Sequence, residues 1–168
     1  MFKKLMILVL MMAPLTILAQ KFAHFDSGEI LKIYPEAQAA QTALEALGKQ
    51  YQADLEAMEK ELQTKVQKFE SEINESTPAN MRQRRQQELQ ELQQRIRQAY
   101  QDNEQAFRQE SQKKMQPIQE KVYAAIEAVL KEGGYVYGVD KAIVAGLSIN
   151  SALSTDISAQ IKAKLGIK

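Results

Sequence analysis

Residues 35–73 read PEAQAAQTALEALGKQYQADLEAMEKELQTKVQKFESEI, and their apolar side chains keep an eleven-residue beat. Leu44, Leu55 and Val66 are eleven apart; so are Leu47, Met58 and Phe69, and Tyr51, Leu62 and Ile73. Beyond Thr77-Pro78 the beat resumes. Leu89, Tyr100, Ser111 and Val122 form one row, and Ile96, Phe107, Ile118 and Val129 another. A third row, Leu92, Asn103, Lys114 and Ala125, is interrupted by polar residues. The repeat averages about 3.67 residues per turn, near that of a straight helix, so each stripe holds one face without a heptad's supercoil. Two long polar helices with one apolar stripe each predict an antiparallel hairpin, not the core of a globular enzyme.

Local signals bound the helices. Tyr34-Pro35-Glu36 opens the first, because proline suits the first helical position and an acid complements the helix dipole there. Asn74 to Asn80 supplies turn formers and a second proline, which places the hairpin tip at residues 75–80. The returning helix runs to Glu132 and stops at Gly133-Gly134, where a left-handed cap costs little. Pro117 lies inside it and removes one backbone hydrogen bond, predicting a kink.

A small body comes from the chain ends. Phe22-Ala23-His24-Phe25, Tyr135–Val139 and Ala142–Leu147 are β-rich. Ala159–Leu165 fits a final helix with Ser158 as N-cap. The expected organisation is a signal at 1–20, a strand and turn at 21–34, the hairpin at 35–132, and strands and helix at 133–168. The fold class is α+β, mostly α, with the hairpin inserted between short strands. Such a body has a thin core, and cysteine is absent. Domains this small lean on disulfides, metals or partner subunits, so self-association is expected through Val136, Val139, Ile143 and Leu147.

The N-terminus predicts export. Lys3 and Lys4 precede an apolar run and a small residue, Ala19, as in a secretory signal peptide. Cleavage there leaves 20 basic and 21 acidic side chains, a net charge of −1. That balance argues against nucleic-acid binding, which shows as strong positive charge. Residues 36–75 carry four lysines against nine acids, net −5, and residues 81–97 five arginines against two glutamates, net +3. The opposite bias favours antiparallel pairing, with the arginines facing Glu70, Glu72 and Glu75.

Catalytic readings fail on residue supply. One histidine and no cysteine cannot make an ordinary zinc site. Gly133 and Gly138 have phosphate-loop spacing, but Val139-Asp140-Lys141 follows where glycine-lysine-serine is needed. His24 reads as a structural strand histidine, and Asp26 and Asp140 as turn or cap residues. No catalytic residue, metal or cofactor is expected, and the protein is read as a non-enzyme.

Phe25-Asp26-Ser27-Gly28-Glu29-Ile30-Leu31-Lys32-Ile33-Tyr34-Pro35-Glu36-Ala37-Gln38 resembles the opening of the Skp/OmpH family of periplasmic chaperones. Pro117-Ile118 with Val122 and Ile126 is similar to that family's second-helix motif. Glu132-Gly133-Gly134-Tyr135 followed by Val139-Asp140 resembles its helix-to-strand junction, and Asp156-Ile157-Ser158 before Ile161 and Leu165 its closing motif. The resemblance implies a homotrimer with a small β-body and three helical arms around a cavity. It implies an ATP-independent periplasmic holdase for unfolded outer-membrane β-barrel proteins. Better-known members are strongly basic, whereas this chain is nearly neutral.

Within the stripe, Tyr51, Met58, Phe69, Met81, Tyr100, Phe107 and Met115 are large and adaptable, and are the expected client contacts. Most of the stripe is read as glue between the two helices. Arg82, Arg84, Arg85, Arg95 and Arg97 form an expected contact with anionic membrane lipid or acidic client segments. The competing reading is a structural coiled-coil adaptor of the cell envelope, whose tip docks on one partner.

Overall fold

The computed structural model describes residues 20–74, 76–144, 146 and 148–167. The expected signal at 1–20 therefore lies outside them but for Gln20. In chain order the elements are β1 (Lys21–Phe25), α1 (Ser27–Ile33), α2 (Pro35–Glu72), α3 (Ala79–Gly133), β2 (Tyr135–Asp140), β3 (Ser154–Asp156) and α4 (Ser158–Lys164). Two compact units result: one from the chain ends, up to Ile30 and from Ala124 onward, the other from Leu31 to Tyr123. The fold is α+β and mostly α, with a helical hairpin between short strands.

In the first unit β1 is the central strand, paired in parallel with β2 on one side and β3 on the other. Parallel neighbours need a long crossover. The first crossover carries α1, α2 and α3, and the second is the loop 141–153. Ala23, His24 and Phe25 are buried, as befits a strand with neighbours on both sides. Ile30, Ile157 and Ile161 are fully buried, and Ala125, Ile126 and Val129 complete the core. Each buried valine or isoleucine among them contributes about 1.5–3 kcal/mol of apolar burial.

Two local expectations are corrected here. Ala142–Leu147 is not a strand: residues 141–144 form a turn and bend, with Ala145 and Leu147 outside the described residues. Asp140 takes their donors locally, its carboxylate accepting from Ala142 N–H and its carbonyl from Ile143 N–H. The third strand is Ser154–Asp156 instead. Ser158 does not cap α4. It is the first helical residue, and its N–H donates to Asp156 Oδ1 at 2.9 Å. Gly166 (φ +69°) ends α4: its N–H donates to Ala163 and that of Ile167 to Lys162, so two free carbonyls are satisfied together.

Gly134 (φ +66°) terminates α3 in the same left-handed conformation. A β-carbon on Gly133 would lie 2.2 Å from the Tyr135 ring, so the first strand residue of β2 requires glycine two places before it.

In the second unit α2 and α3 run antiparallel. Glu36 pairs with Lys121, Gly48 meets Phe107, Glu59 meets Tyr100 and Lys65 pairs with Glu88, so partners climb on one helix as they fall on the other. Pro35 is the first residue of α2, after an extended Tyr34. At the turn Ser76 N–H donates to Asn74 Oδ1 and Asn74 N–H to Thr77 Oγ1. The Pro78 carbonyl then accepts from Met81 and Arg82 to start α3. Leu44, Leu55, Leu92, Ile96, Ile118 and Val122 are the buried glue. α3 continues through Pro117.

Candidate functional site

The apolar stripes do not close everywhere. Tyr100 and Phe107 are the exposed members of the returning rows, at 50% and 36% exposure. With Tyr51 and Leu55 from α2 they line an open groove of about 540 Å³. Phe107 stands over Gly48 of α2: a β-carbon there would sit 3.7 Å from ring Cε2, an ordinary van der Waals contact. The polar Asn103, which breaks the third row, lines the same groove. Where aliphatic glue should stand, a half-buried amide leaves space.

Tyr100 is fixed within this groove. Its hydroxyl donates to Glu59 Oε1 at 2.8 Å across the helix pair. That hydrogen bond, then the Glu59 charge and partial desolvation, holds the phenol above its ordinary range. The ring is thereby oriented while half of it stays open to solvent.

The other expected contacts are scattered. Met115 shares a neighbouring groove on α3 with Phe107 and Ser111. Phe69 lines a smaller one of about 210 Å³ with Lys65, Lys68, Arg85 and Glu88. Met58 is half-buried and Met81 exposed, and neither lines these grooves. Tyr51, Tyr100 and Phe107 are the three brought together.

Ion pairs flank the hairpin. Lys121 Nζ donates to Glu36 at 2.6 and 2.7 Å. That hydrogen bond holds Glu36 below its usual range and Lys121 above its own. Burial, then the hydrogen bond to Glu36, raises the neighbouring Tyr34 phenol. Lys65 bonds closely to Glu88, which also accepts from Arg85 at 3.2 Å. Lys65 first, and Arg85 next, depress the Glu88 carboxyl, and Lys65 is raised in turn.

Arg85 and Glu72 line the same groove, but among the described residues no arginine forms an ion pair with Glu70 or Glu72. Arg85 binds Glu88 on its own helix, and the cross-hairpin pair beside it takes its cation from α2. Glu88, one of the two glutamates counted in residues 81–97, thus takes one partner from each helix. Arg82, Arg84, Arg95 and Arg97 are exposed and make no ion pair among the described residues. Glu75 lies outside the described residues.

In the sheet unit Val136 and Ile143 are exposed, at 57% and 70%, and Val139 is half-buried. Leu147 lies outside the described residues. His24 sits on the central strand with Nδ1 2.9 Å from Ser154 Oγ and Nε2 3.8 Å from Asp156 Oδ2. Burial pushes the Asp156 carboxyl up, but hydrogen bonds from Ser158 and the His24 and Lys141 charges outweigh it and leave it low. Asp26 Oδ1 accepts from Glu29 N–H, and Asp140 Oδ1 from Ser27 and Ala142 N–H. These carboxylates serve as caps. Among the described residues no group of three His, Asp or Glu is placed to hold a metal.

A long helical hairpin inserted in the chain between the first two strands of a three-stranded parallel sheet, with an open apolar groove along its seam, defines a mostly helical α+β protein. The chain belongs to the OmpH-like family, whose description is "Outer membrane protein (OmpH-like)" and whose sequence pattern matches residues 21–165. No curated protein sequence matches it. The chain is similar to the crystal structure of a candidate outer membrane chaperone (OmpH-like) from Caulobacter crescentus CB15. The TM-score is 0.71 at 16% identity, covering 87% of this chain and 83% of that one. At that identity the likeness speaks for the fold.

Proposed function

We propose that this protein is an ATP-independent holdase chaperone of the periplasm that binds unfolded outer-membrane β-barrel proteins. The observation that carries the reading is the open groove of Tyr51, Tyr100 and Phe107 on an otherwise polar hairpin. Membership of the OmpH-like family supports it. Many weak, replaceable apolar contacts suit clients without fixed sequence, and multiplying hairpins multiplies avidity.

The sheet unit would supply the copies. β2 and β3 are both edge strands, and Val136, Tyr137, Ile143 and Leu153 are exposed around them. Unpaired edges and exposed apolar residues are covered when copies associate, and a homotrimer is the assembly proposed. Exposed Arg82, Arg84, Arg95 and Arg97, with Arg85, would give peripheral contact with anionic lipid.

An unfolded porin diluted with the purified mature protein tests the reading by light scattering. Suppression at one trimer per porin is expected; undiminished aggregation overturns it. The adaptor reading draws on Met81, 53% exposed at the start of α3 beside Arg82 and Arg84, which make no ion pair among the described residues. Exchange of residues 77–81 for a generic turn separates the two, since an adaptor loses its partner and a holdase keeps its suppression.

A further inference from the structure

The groove at the middle of the hairpin has a chemical bias that the holdase reading does not require. Its floor is apolar: Tyr51 and Leu55 from α2, Tyr100 and Phe107 from α3. Its rim is acidic, with Glu56, Glu59 and Glu104, and no lysine or arginine lines it. Glu104 is neutralised by a close bond from Arg108. Glu56 and Glu59 have no cationic partner among the described residues. Glu56 accepts from Gln52 Nε2 at 2.8 Å and Glu59 from the Tyr100 hydroxyl at 2.8 Å. These are neutral donors, so both negative charges stand uncompensated beside exposed aromatic surface. The groove around Phe69 differs, for Lys65, Lys68 and Arg85 line it alongside Glu72 and Glu88 and balance their charge.

We propose that this groove selects segments of unfolded chain in which an aromatic or aliphatic side chain is followed closely by lysine or arginine. The proposal rests on the holdase reading and adds a preference to it. The apolar side chain would lie on Tyr51, Leu55 and Phe107. The alkyl stem of the basic residue follows the groove while its charged head reaches Glu56 and Glu59. Tyr100 contributes twice: its ring, pinned by the Glu59 bond, offers a cation a π-face, and its hydroxyl holds the carboxylate in place. An acidic segment meets two unpaired carboxylates and is rejected. The eight acids and four lysines of α2, net −4, extend the same field along the helix.

The test uses the full mature protein in its native assembly and short labelled peptides followed by fluorescence anisotropy. The peptides share one phenylalanine- and leucine-containing sequence and differ in carrying lysine, glutamine or glutamate beside it. At low salt the lysine peptide is expected to bind about three- to tenfold more tightly than the glutamine peptide, the scale of two exposed ion pairs. The glutamate peptide binds most weakly, and high salt erases the ranking.

Glu56→Gln with Glu59→Gln keeps both hydrogen-bond acceptors and removes both charges, so it should bring the lysine and glutamine peptides together. Glu91→Gln, at an exposed residue outside the groove, should keep them apart. Equal binding of the lysine and glutamine peptides, a preference for glutamate, or a lysine preference that survives the double substitution overturns the proposal. Porin aggregation measured on the same preparation separates the two ideas. Suppression without charge preference removes the selectivity and leaves the holdase, whereas no suppression and no peptide binding removes both.

Discussion

Phe107 stands opposite Gly48 across the helix pair, with ring Cε2 3.7 Å from where a β-carbon on the glycine would be. The contact tolerates a methyl group, and glycine within a helix costs about 0.5–1 kcal/mol relative to alanine. Gly48→Ala is therefore expected to stabilise the hairpin by about that amount, read as a higher melting temperature by circular dichroism. A destabilised variant would mean that the ring has no room to spare.

The ion pairs make stability depend on pH in a defined direction. Glu36 and Glu88 titrate below the usual range when folded, chiefly through their lysine partners. Their contribution is whole above the ordinary glutamate range and disappears as pH falls through the lowered values. Lys121 and Lys65 are raised, so theirs is whole at neutral pH and disappears as pH climbs through the raised values. Melting temperature should fall on the acid side, and Glu36→Gln with Glu88→Gln should flatten that limb. An unchanged acid limb in the double variant would contradict the assignment.

The junction after α3 depends on small residues. A β-carbon at Gly133 would meet the Tyr135 ring at 2.2 Å, and Gly134 has positive φ. Gly134→Ala should cost about 1–2 kcal/mol in backbone strain. Gly133→Ala should cost about 1–3 kcal/mol by displacing Tyr135 from its place in β2. Chemical denaturation measures both, and a neutral Gly133→Ala would show that the tyrosine moves freely.

Client capture should be distributed. Tyr100→Ser or Phe107→Ser alone is expected to weaken suppression of porin aggregation by less than about twofold, and the pair by more than the product of the two. Both side chains are exposed, so helicity should hold. Abolition by one substitution would point to a single specific site instead.

Assembly should be sensitive to charge on the sheet unit. Leu153 is 72% exposed, so Leu153→Glu costs the isolated chain little. If copies cover this surface, sedimentation equilibrium of the mature variant should show dissociation where the parent chain is oligomeric. A parent chain that is monomeric in dilute solution would dispose of the proposed trimer.

The hairpin was readable in the sequence because a stripe eleven residues deep needs only its own helix and one partner. Pro35 and Gly134 act locally, so the helix ends were readable as well. The third strand was not. Ala142–Leu147 has β propensity, but propensity expresses fit to a neighbouring strand, and Asp140 turns the chain away from one. Ser154–Asp156 carries no apolar alternation. Its register comes from backbone pairing with β1 and from the polar contacts of His24 with Ser154 and Asp156. Helix α1 was also missed, though Asp26 followed three places later by Glu29 is a helix-start signal, and Asp26 does accept the Glu29 N–H. Within the groove the aromatic residues were legible from the rows. Gly48, Glu56 and Glu59 were not, because their meaning depends on which α3 residue stands opposite.

The order of the strands carries a consequence for biosynthesis. β1 is the first of the described elements, yet its hydrogen-bonding neighbours follow only after the whole hairpin, with Phe22 pairing to Tyr137 and Ser154. Contacts this distant in sequence form slowly, while helices nucleate within their own turns. A nascent chain can thus coil its two long helices early, but its first strand has no partner until Tyr135–Asp140 has been made, and its other flank stays bare until Ser154–Asp156 follows. A chain cut between Asp140 and Ser154 keeps the β1–β2 pair and leaves the other edge of the central strand uncovered.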